Sequence, residues 1–483
     1  MRLADLEGRR VAVWGYGREG RAALAVLRRR FPEQRTTLFC SEAEAQALAA
    51  SNLGARFIAP GFSTHVQQSG RDESRPYDAT IEVTTVPPDV VALSRFDIVI
   101  KSPGISPYRE PYLSAEKAGV RFTSGTAIWF AEHAEAKTIC VTGTKGKSTV
   151  TALIAHLLRA GGRRVALAGN IGLPLLELLE PDAEPDWWVI ELSSFQTRDF
   201  GGAPTVAVIN NLYEEHLDWH ATRAHYAADK LRIAQRAQRV VVNAGQKELA
   251  ALAQRDAEYA FNRREGWHAA DGAIWRGDER VLAIERIPLP GEHNAFNVCA
   301  ALAAIEAAGE DAKALSPHVA TFKPLPHRLQ RLGTHDGIDY VNDSISTTPY
   351  AAIEALRSMD SGRPVTILVG GFDRGVDWTP FVDSVAESTH APVIVTMGAN
   401  GEAIADKLGH VREPKYSVVR ASTLPDALVK ARSCTISGGV ILLSPGAPSF
   451  DQFKDYAERG REFARLAGFD PTAIAQIEGI GIA

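Results

Sequence analysis

The chain has 483 residues, too many for one ordinary hydrophobic core, and this length predicts about three domains. Its net charge of −5 and lack of a basic tract argue against wrapping nucleic acid or anionic lipid, and no apolar run approaches the roughly 20 residues that span a bilayer. The N-terminal residues lack the apolar stretch of a signal peptide, and Cys40, Cys140, Cys299 and Cys434 are isolated, so the expectation is a reduced, cytoplasmic protein.

Arg10–Trp14 reads as a buried strand running into Gly15-Tyr16-Gly17-Arg18-Glu19-Gly20, with a helix expected from about Arg21 to Arg29. That strand–turn–helix is a dinucleotide-type fingerprint and predicts a Rossmann-like unit holding some phosphate or nucleotide. Thr36–Cys40 is the second strand. Ser69–Pro76 reads as a loop, and Phe96–Lys101 is a further strand ending in Ser102-Pro103-Gly104-Ile105-Ser106-Pro107. The first domain is expected over residues 1–133.

Ile139–Val141 is a strand leading into Thr142-Gly143-Thr144-Lys145-Gly146-Lys147-Ser148-Thr149, with helical spacing over Val150–Ala160. Backbone N–H groups in such a turn converge on phosphate at the positive end of a helix, Lys147 reaches the terminal phosphates, and Ser148 or Thr149 can ligand Mg²⁺. The strict P-loop pattern asks for glycine where Val141 stands, so only the short form Gly143-x-x-Gly146-Lys147-Ser148-Thr149 is present. Further strands end in polar clusters: Arg164–Ala168 before Gly169-Asn170, Trp187–Glu191 before Leu192–Gln196, and Val206–Ile209 before Asn210 and Asn211. Glu191 at a strand end suits a metal-ligating carboxylate, or equally a helix cap or surface ion pair; His216 reads as a ligand for a second cation or as a hydrogen-bonded structural histidine, and Lys230, on a helix Tyr226–Ala237, by spacing alone as a solvated charge. Residues 259–287 read as short antiparallel strands, and Gly291–Asn294 opens an Ala-rich helix through Ala308.

The Lys323–Arg328 stretch, with two prolines, is the linker expected between a central domain over residues 134–325 and a third over 326–483. There Ile338–Asn342, Val365–Val369, Val393–Met397 and Val440–Leu443 again precede polar clusters, and a helix is expected from about Phe450 to Leu466. The fold class predicted is α/β: a Rossmann-like domain, a central mostly parallel sheet of P-loop type, and a C-terminal Rossmann-like domain.

Taken as a set, Thr142–Thr149, Gly169–Gly172, Glu191–Gln196, Glu214-Glu215-His216-Leu217-Asp218, Gly291–Asn294, Leu325–Arg328, Asn342-Asp343-Ser344, Gly370-Gly371 and Ser444–Phe453 resemble the Mur ligases of peptidoglycan synthesis. Within them the chain most resembles the branch adding glutamate to UDP-N-acetylmuramoyl-L-alanine. The resemblance implies an ATP-dependent carboxylate–amine ligation through an acyl phosphate, using ATP and Mg²⁺ at two sites, by a monomer. Lys147, Glu191, His216 and Lys230 match catalytic positions. Ser148 or Thr149 with Glu191 would hold one Mg²⁺ and His216 a second, with Lys230 matching a carbamylated lysine. Asn294, Asn297, Arg328 and Asp343 match ATP-contacting positions. Gly15, Tyr16, Gly17, Arg18, Ser102, Pro103, Gly104 and Asn170 would hold the UDP-sugar rather than NAD.

The glutamate region departs from the pattern. Enzymes adding D-glutamate generally carry Asn-Asp-Ser-Lys-Ala-Thr, and here Ile345 replaces the lysine cation. Thr347, Arg374 and Ser449 remain at amino-acid-binding positions, and Tyr456 stands where phenylalanine is usual. An inert relic is one reading of the lost charge. The other is a site reshaped for the opposite enantiomer, and resemblance to a subgroup adding L-glutamate favours it. A D-glutamate ligase and a folylpolyglutamate synthetase-like ligase are the alternatives; the latter needs no UDP-type first domain.

Overall fold

Short runs of valine, isoleucine and leucine become the strands of three six-stranded sheets, because strands covered by helices on both faces need apolar side chains on both. The computed structural model describes residues 1–50, 56–57, 81–289, 291–359, 362–388, 391–474, 477 and 479–483; the expected loop Ser69–Pro76 lies outside them. The backbone divides into two compact units, Met1–Leu282 with Asn297–His318 and Gly479–Ala483, and Ala283–Phe296 with Val319–Glu478.

The first unit holds two of the sheets. One is fully parallel, in the order Arg56–Phe57, Ile81–Thr84, Thr36–Phe39, Val11–Trp14, Ile98–Lys101, Arg121–Thr123. The other runs Arg239–Val242, Val206–Ile209, Thr138–Thr142, Trp187–Glu191, Val165–Gly169 in parallel, and Gly481–Ile482 closes its edge antiparallel to Val165–Gly169. A continuous apolar cluster passes from Val13 and Leu24 through Ile128, Trp129 and Leu176 to Ile190 and Ile209. Trp129 meets Trp188 edge-to-face at 4.6 Å, a geometry that aromatic quadrupoles favour. The two sheets therefore share one core.

Trp267–Ala270, Ala273–Arg276 and Glu279–Ala283 form a small separate sheet, its first two strands antiparallel, and the Ala-rich helix spans Glu292–Ala307. In the second unit the order is Gln330–His335, Ile338–Asn342, Val440–Leu443, Val365–Val369, Val393–Thr396, Ser417–Arg420, parallel except for the antiparallel first strand. The helix expected from Phe450 begins only at Tyr456. Ser449 anchors a turn by accepting at its carbonyl from the Gln452 and Phe453 N–H groups. The Asp455 side chain then accepts from the Glu458 N–H, fixing the helix start. Among the described residues no helix is long and apolar enough to cross a membrane.

Candidate active site

Thr138–Thr142 delivers the glycine turn, and the helix Lys147–Ala160 begins directly after it. Gly146 has φ +76°, and a Cβ there would lie 2.3 Å from Asn297 Oδ1 and 2.5 Å from Asn210 Nδ2, so only glycine fits. Those amides brace the loop: Asn210 donates to Asn297 Oδ1 at 2.9 Å and to the Lys145 carbonyl at 3.0 Å, and Asn211 Oδ1 accepts from the Lys145 N–H at 2.8 Å. Thr144 Oγ1 bonds the Tyr226 hydroxyl at 2.7 Å, and Lys147 Nζ donates to the Thr144 carbonyl at 3.0 Å. Lys145 is paired with Glu215 at 2.8 Å. Ser148 is buried and Thr149 half-buried at the N-terminal end of the helix.

Glu191, at the end of its strand, is buried; Oε1 accepts from Asn170 Nδ2 at 2.7 Å, while Oε2 is buried with no hydrogen-bond partner. An acceptor-only oxygen held dry in this way suits a cation. Lys230 is 2% exposed and donates to the Gly143 carbonyl at 2.8 Å. Burial, reinforced by Lys147, pushes its ammonium well below the ordinary lysine range, with Glu215 and Glu191 opposing. His216 sits in the left-handed region at φ +58°, 5.0 Å from the Phe195 ring, and burial lowers its pKa. The structure thus brings Lys147, Glu191, His216 and Lys230 into one electrostatic neighbourhood. Among the described residues no three His, Cys, Asp or Glu side chains form a ready metal cage, so a metal here needs hydroxyl, water or substrate oxygens as well.

On the first sheet, Gly15 and Ser102 meet: Ser102 Oγ donates to the Gly15 carbonyl at 3.1 Å, and a Cβ on Gly15 would sit 2.8 Å from that hydroxyl. Arg18 donates to the Gly172 carbonyl at 2.9 Å, placing the glycine turn beside the loop carrying Asn170. The Gly104 carbonyl accepts from Trp219 Nε1 at 3.1 Å, and Pro103 lies between Ser102 and Gly104 on this turn. The Tyr16 N–H donates to Glu44 at 3.2 Å.

Residues 141–305 match the Mur ligase middle domain, and residues 327–447 match the Mur ligase glutamate ligase domain. Over the whole of both chains this sequence is 49% identical to UDP-N-acetylmuramoyl-L-alanine--L-glutamate ligase of Xanthomonas euvesicatoria pv. vesicatoria. The chain belongs to the Mur ligase family. A protein of the same name from a Micromonospora species is 38% identical, over 96% of this chain and 97% of that one. In fold, this Mur ligase is similar to the crystal structure of UDP-N-acetylmuramate-alanine ligase MurC from Thermotoga maritima, with TM-score 0.57, 18% identity, and 95% and 99% of the two chains covered.

In the second unit of this Mur ligase, Asp343 is buried, accepting from the Leu329 N–H at 3.1 Å and from Ser444 Oγ at 2.7 Å. Burial outweighs those bonds and the Arg328 charge, pushing its pKa up to about 7. Ile345 and Thr347 are half-buried, Ser449 is buried, Arg374 is exposed, and Tyr456 meets His327 edge-to-face at 5.9 Å. Asn294 is buried at the start of the Ala-rich helix.

Sequence reasoning missed Arg459, which is buried and donates to Ser344 Oγ at 3.1 Å and to the Ser344 and Ala447 carbonyls at 2.9 Å each. It also missed Tyr108, Ser194, His220 and Asp229. Their signal was weak: Ser194 is one of two serines inside the Glu191–Gln196 cluster, and each of the others is a single polar residue beside a named cluster.

Proposed function

We propose that this Mur ligase joins L-glutamate to the alanine carboxylate of UDP-N-acetylmuramoyl-L-alanine, converting ATP to ADP and phosphate. Full-length identity near one half to relatives of that printed name carries this reading. The half-buried Ile345 in place of a cation supports the L enantiomer, because an inverted α-carbon redirects the substrate's carboxylates. Residues 1–133 are assigned to the UDP-sugar, 134–325 to ATP and 326–483 to the amino acid, in a monomeric cytoplasmic enzyme.

The acceptor's carboxylate oxygen attacks the γ-phosphorus of ATP, and the bond to the β–γ bridging oxygen breaks to give an acyl phosphate and ADP. The glutamate amine then attacks the acyl carbon, loses a proton, and the tetrahedral intermediate expels phosphate. Lys147 and the backbone N–H groups at the start of the helix Lys147–Ala160 neutralise the phosphates. Glu191 Oε2, with a hydroxyl of Ser148 or Thr149, fits one Mg²⁺; His216 fits a second; bound there, the ions would offset the charge of the crowded anions. Lys230, disposed to shed its proton, is suited to carbamylation, which turns a repelling ammonium into a carboxylate for that metal. Asn294, Asn297, Arg328 and Asp343 are assigned to ATP. Gly15, Tyr16, Gly17, Arg18, Ser102, Pro103, Gly104 and Asn170 take the UDP-sugar, and Thr347, Arg374, Ser449 and Tyr456 take glutamate.

The test is phosphate release with UDP-N-acetylmuramoyl-L-alanine and either enantiomer. Faster turnover with L-glutamate is expected; equal or faster turnover with D-glutamate overturns the stereochemical assignment, and no turnover with either overturns the function.

A further inference from the structure

Two adjacent serines follow Glu191, and each is tied to a different loop of the first sheet. Ser193 caps its short helix by a capping box with Gln196, and Gln196 Nε2 donates to Glu19 at 2.9 Å, in the first turn of the helix after the glycine turn. Ser194 is tied the other way. Its Oγ lies 2.9 Å from His220 Nε2, His220 Nδ1 lies 2.9 Å from Asp229 Oδ2, and the Tyr108 hydroxyl donates to Asp229 at 2.8–2.9 Å. Asp229 also has Arg198 at 3.6 Å and Arg232 at 3.8 Å. Tyr108 stacks on His225 with centroids 4.2 Å apart and planes at 9°. Two residues before Tyr108, Ser106 Oγ donates to the Trp219 carbonyl.

A serine, histidine and aspartate in this order make a nucleophile in hydrolases. Here Ser194, His220 and Asp229 are 3%, 0% and 1% exposed, so no substrate carbonyl reaches the hydroxyl. The Asp229 carboxylate accepts, which makes Nδ1 the donor and turns Nε2 toward Ser194. Each member has its partner fixed, and the chain of bonds ties Tyr108 to a cluster 121 residues away at Asp229.

We propose that Asp229 is a positioning residue for the anionic sugar-nucleotide acceptor, holding the Ser102–Tyr108 loop against the Glu191–Gln196 strand end through Tyr108, His220 and Ser194. This rests on the assignment of Ser102, Pro103 and Gly104 to the acceptor. The loop reaches the central sheet by Tyr108–Asp229, Ser106–Trp219 and Gly104–Trp219, and the last two use a residue adjacent to His220. Asp229 anchors both sides of that seam, since one carboxylate binds the loop's tyrosine and the ring next to Trp219. Its neighbour Lys230 points elsewhere, to the Gly143 carbonyl, so the acceptor and ATP functions of the helix Arg223–Gln235 separate onto consecutive residues.

The experiment measures kcat and KM for UDP-N-acetylmuramoyl-L-alanine and for ATP, with thermal melting, in wild type, Asp229→Asn, Tyr108→Phe and the double variant. Asp229→Asn should raise the acceptor KM about tenfold, the scale of one charge-assisted hydrogen bond, and leave the ATP KM within about twofold. Tyr108→Phe, the milder change that keeps the packing, should raise the acceptor KM about threefold. The double variant should fall short of the product, because both changes open the same link. Wild-type turnover with an unmoved acceptor KM in both single variants, parallel rises in both KM values, or a lowered melting temperature with unchanged kinetics overturns the positioning role. A wild type that does not turn over this acceptor overturns instead the function on which it rests.

Discussion

Among the buried long cations, Lys230 in the first unit and Arg459 in the second do opposite things. Lys230 sits beside the phosphate loop with a single hydrogen bond, to the Gly143 carbonyl, and burial drives it toward the neutral amine. Arg459, equally buried, donates to three oxygens of the segments Ser344 and Ala447 and, although burial lowers it to about 10, remains a guanidinium at neutral pH. Lysine's charge sits at one nitrogen that can release its proton, whereas arginine's is delocalised over a fork that stays charged. A buried lysine is thus available for chemistry; a buried arginine is a fixed brace.

Exchanging the two residue types is the strongest way to break the comparison. Lys230→Arg and Lys230→Ala should each lower kcat by on the order of 100-fold or more. If a carbamate is the working form, formate or acetate should restore part of the activity of Lys230→Ala but none of Lys230→Arg, in which a permanent charge faces the metal position. Wild-type activity in Lys230→Ala would remove Lys230 from the chemistry.

Arg459→Lys should destabilise the protein by about 2 kcal/mol, read by urea unfolding, since an ammonium cannot span the Ser344 and Ala447 oxygens together. An unchanged midpoint would show the fork to be dispensable. Next in size, Ile345→Lys restores a cation beside the proposed glutamate position. It should move the ratio of kcat/KM for D- over L-glutamate upward by about tenfold. A ratio that stays put would place stereochemical choice elsewhere.

A pH-dependent effect concerns Asp343. A carboxyl with a native pKa of about 7 against an ordinary 3.8 binds its proton more tightly when folded. Its stabilising contribution is fully present below about 3.8 and is lost as pH rises to about 7. Asp343→Asn should flatten that stretch of the stability–pH curve. The same slope in the variant would assign it to other groups.

Most of the sheet framework was legible, because strands such as Trp187–Glu191, Val206–Ile209 and Val365–Val369 are covered on both faces and announce themselves as apolar runs. Gly481–Ile482 was not, since two residues pairing antiparallel carry no pattern. The helix at Tyr456 was placed six residues early because Phe450–Asp455 offers no proline or glycine to mark the turn. In the site, residues within contiguous motifs could be named. The roles of Tyr108, His220, Asp229 and Ser194, the last inside a motif, stayed hidden, because their hydrogen bonds join positions up to 121 residues apart and follow no spacing that chemistry requires. Arg459 lies in a helix with four other charged residues and carries no mark in the sequence that sets it apart.

Gly146 carries a consequence for inhibitor design. Its αL backbone and the Asn210 and Asn297 amides, 2.3–2.5 Å from where a side chain would begin, close the position to every other residue. A compound that takes its affinity from the backbone of this turn leans on atoms that a substitution at Gly146 cannot redraw without straining the loop.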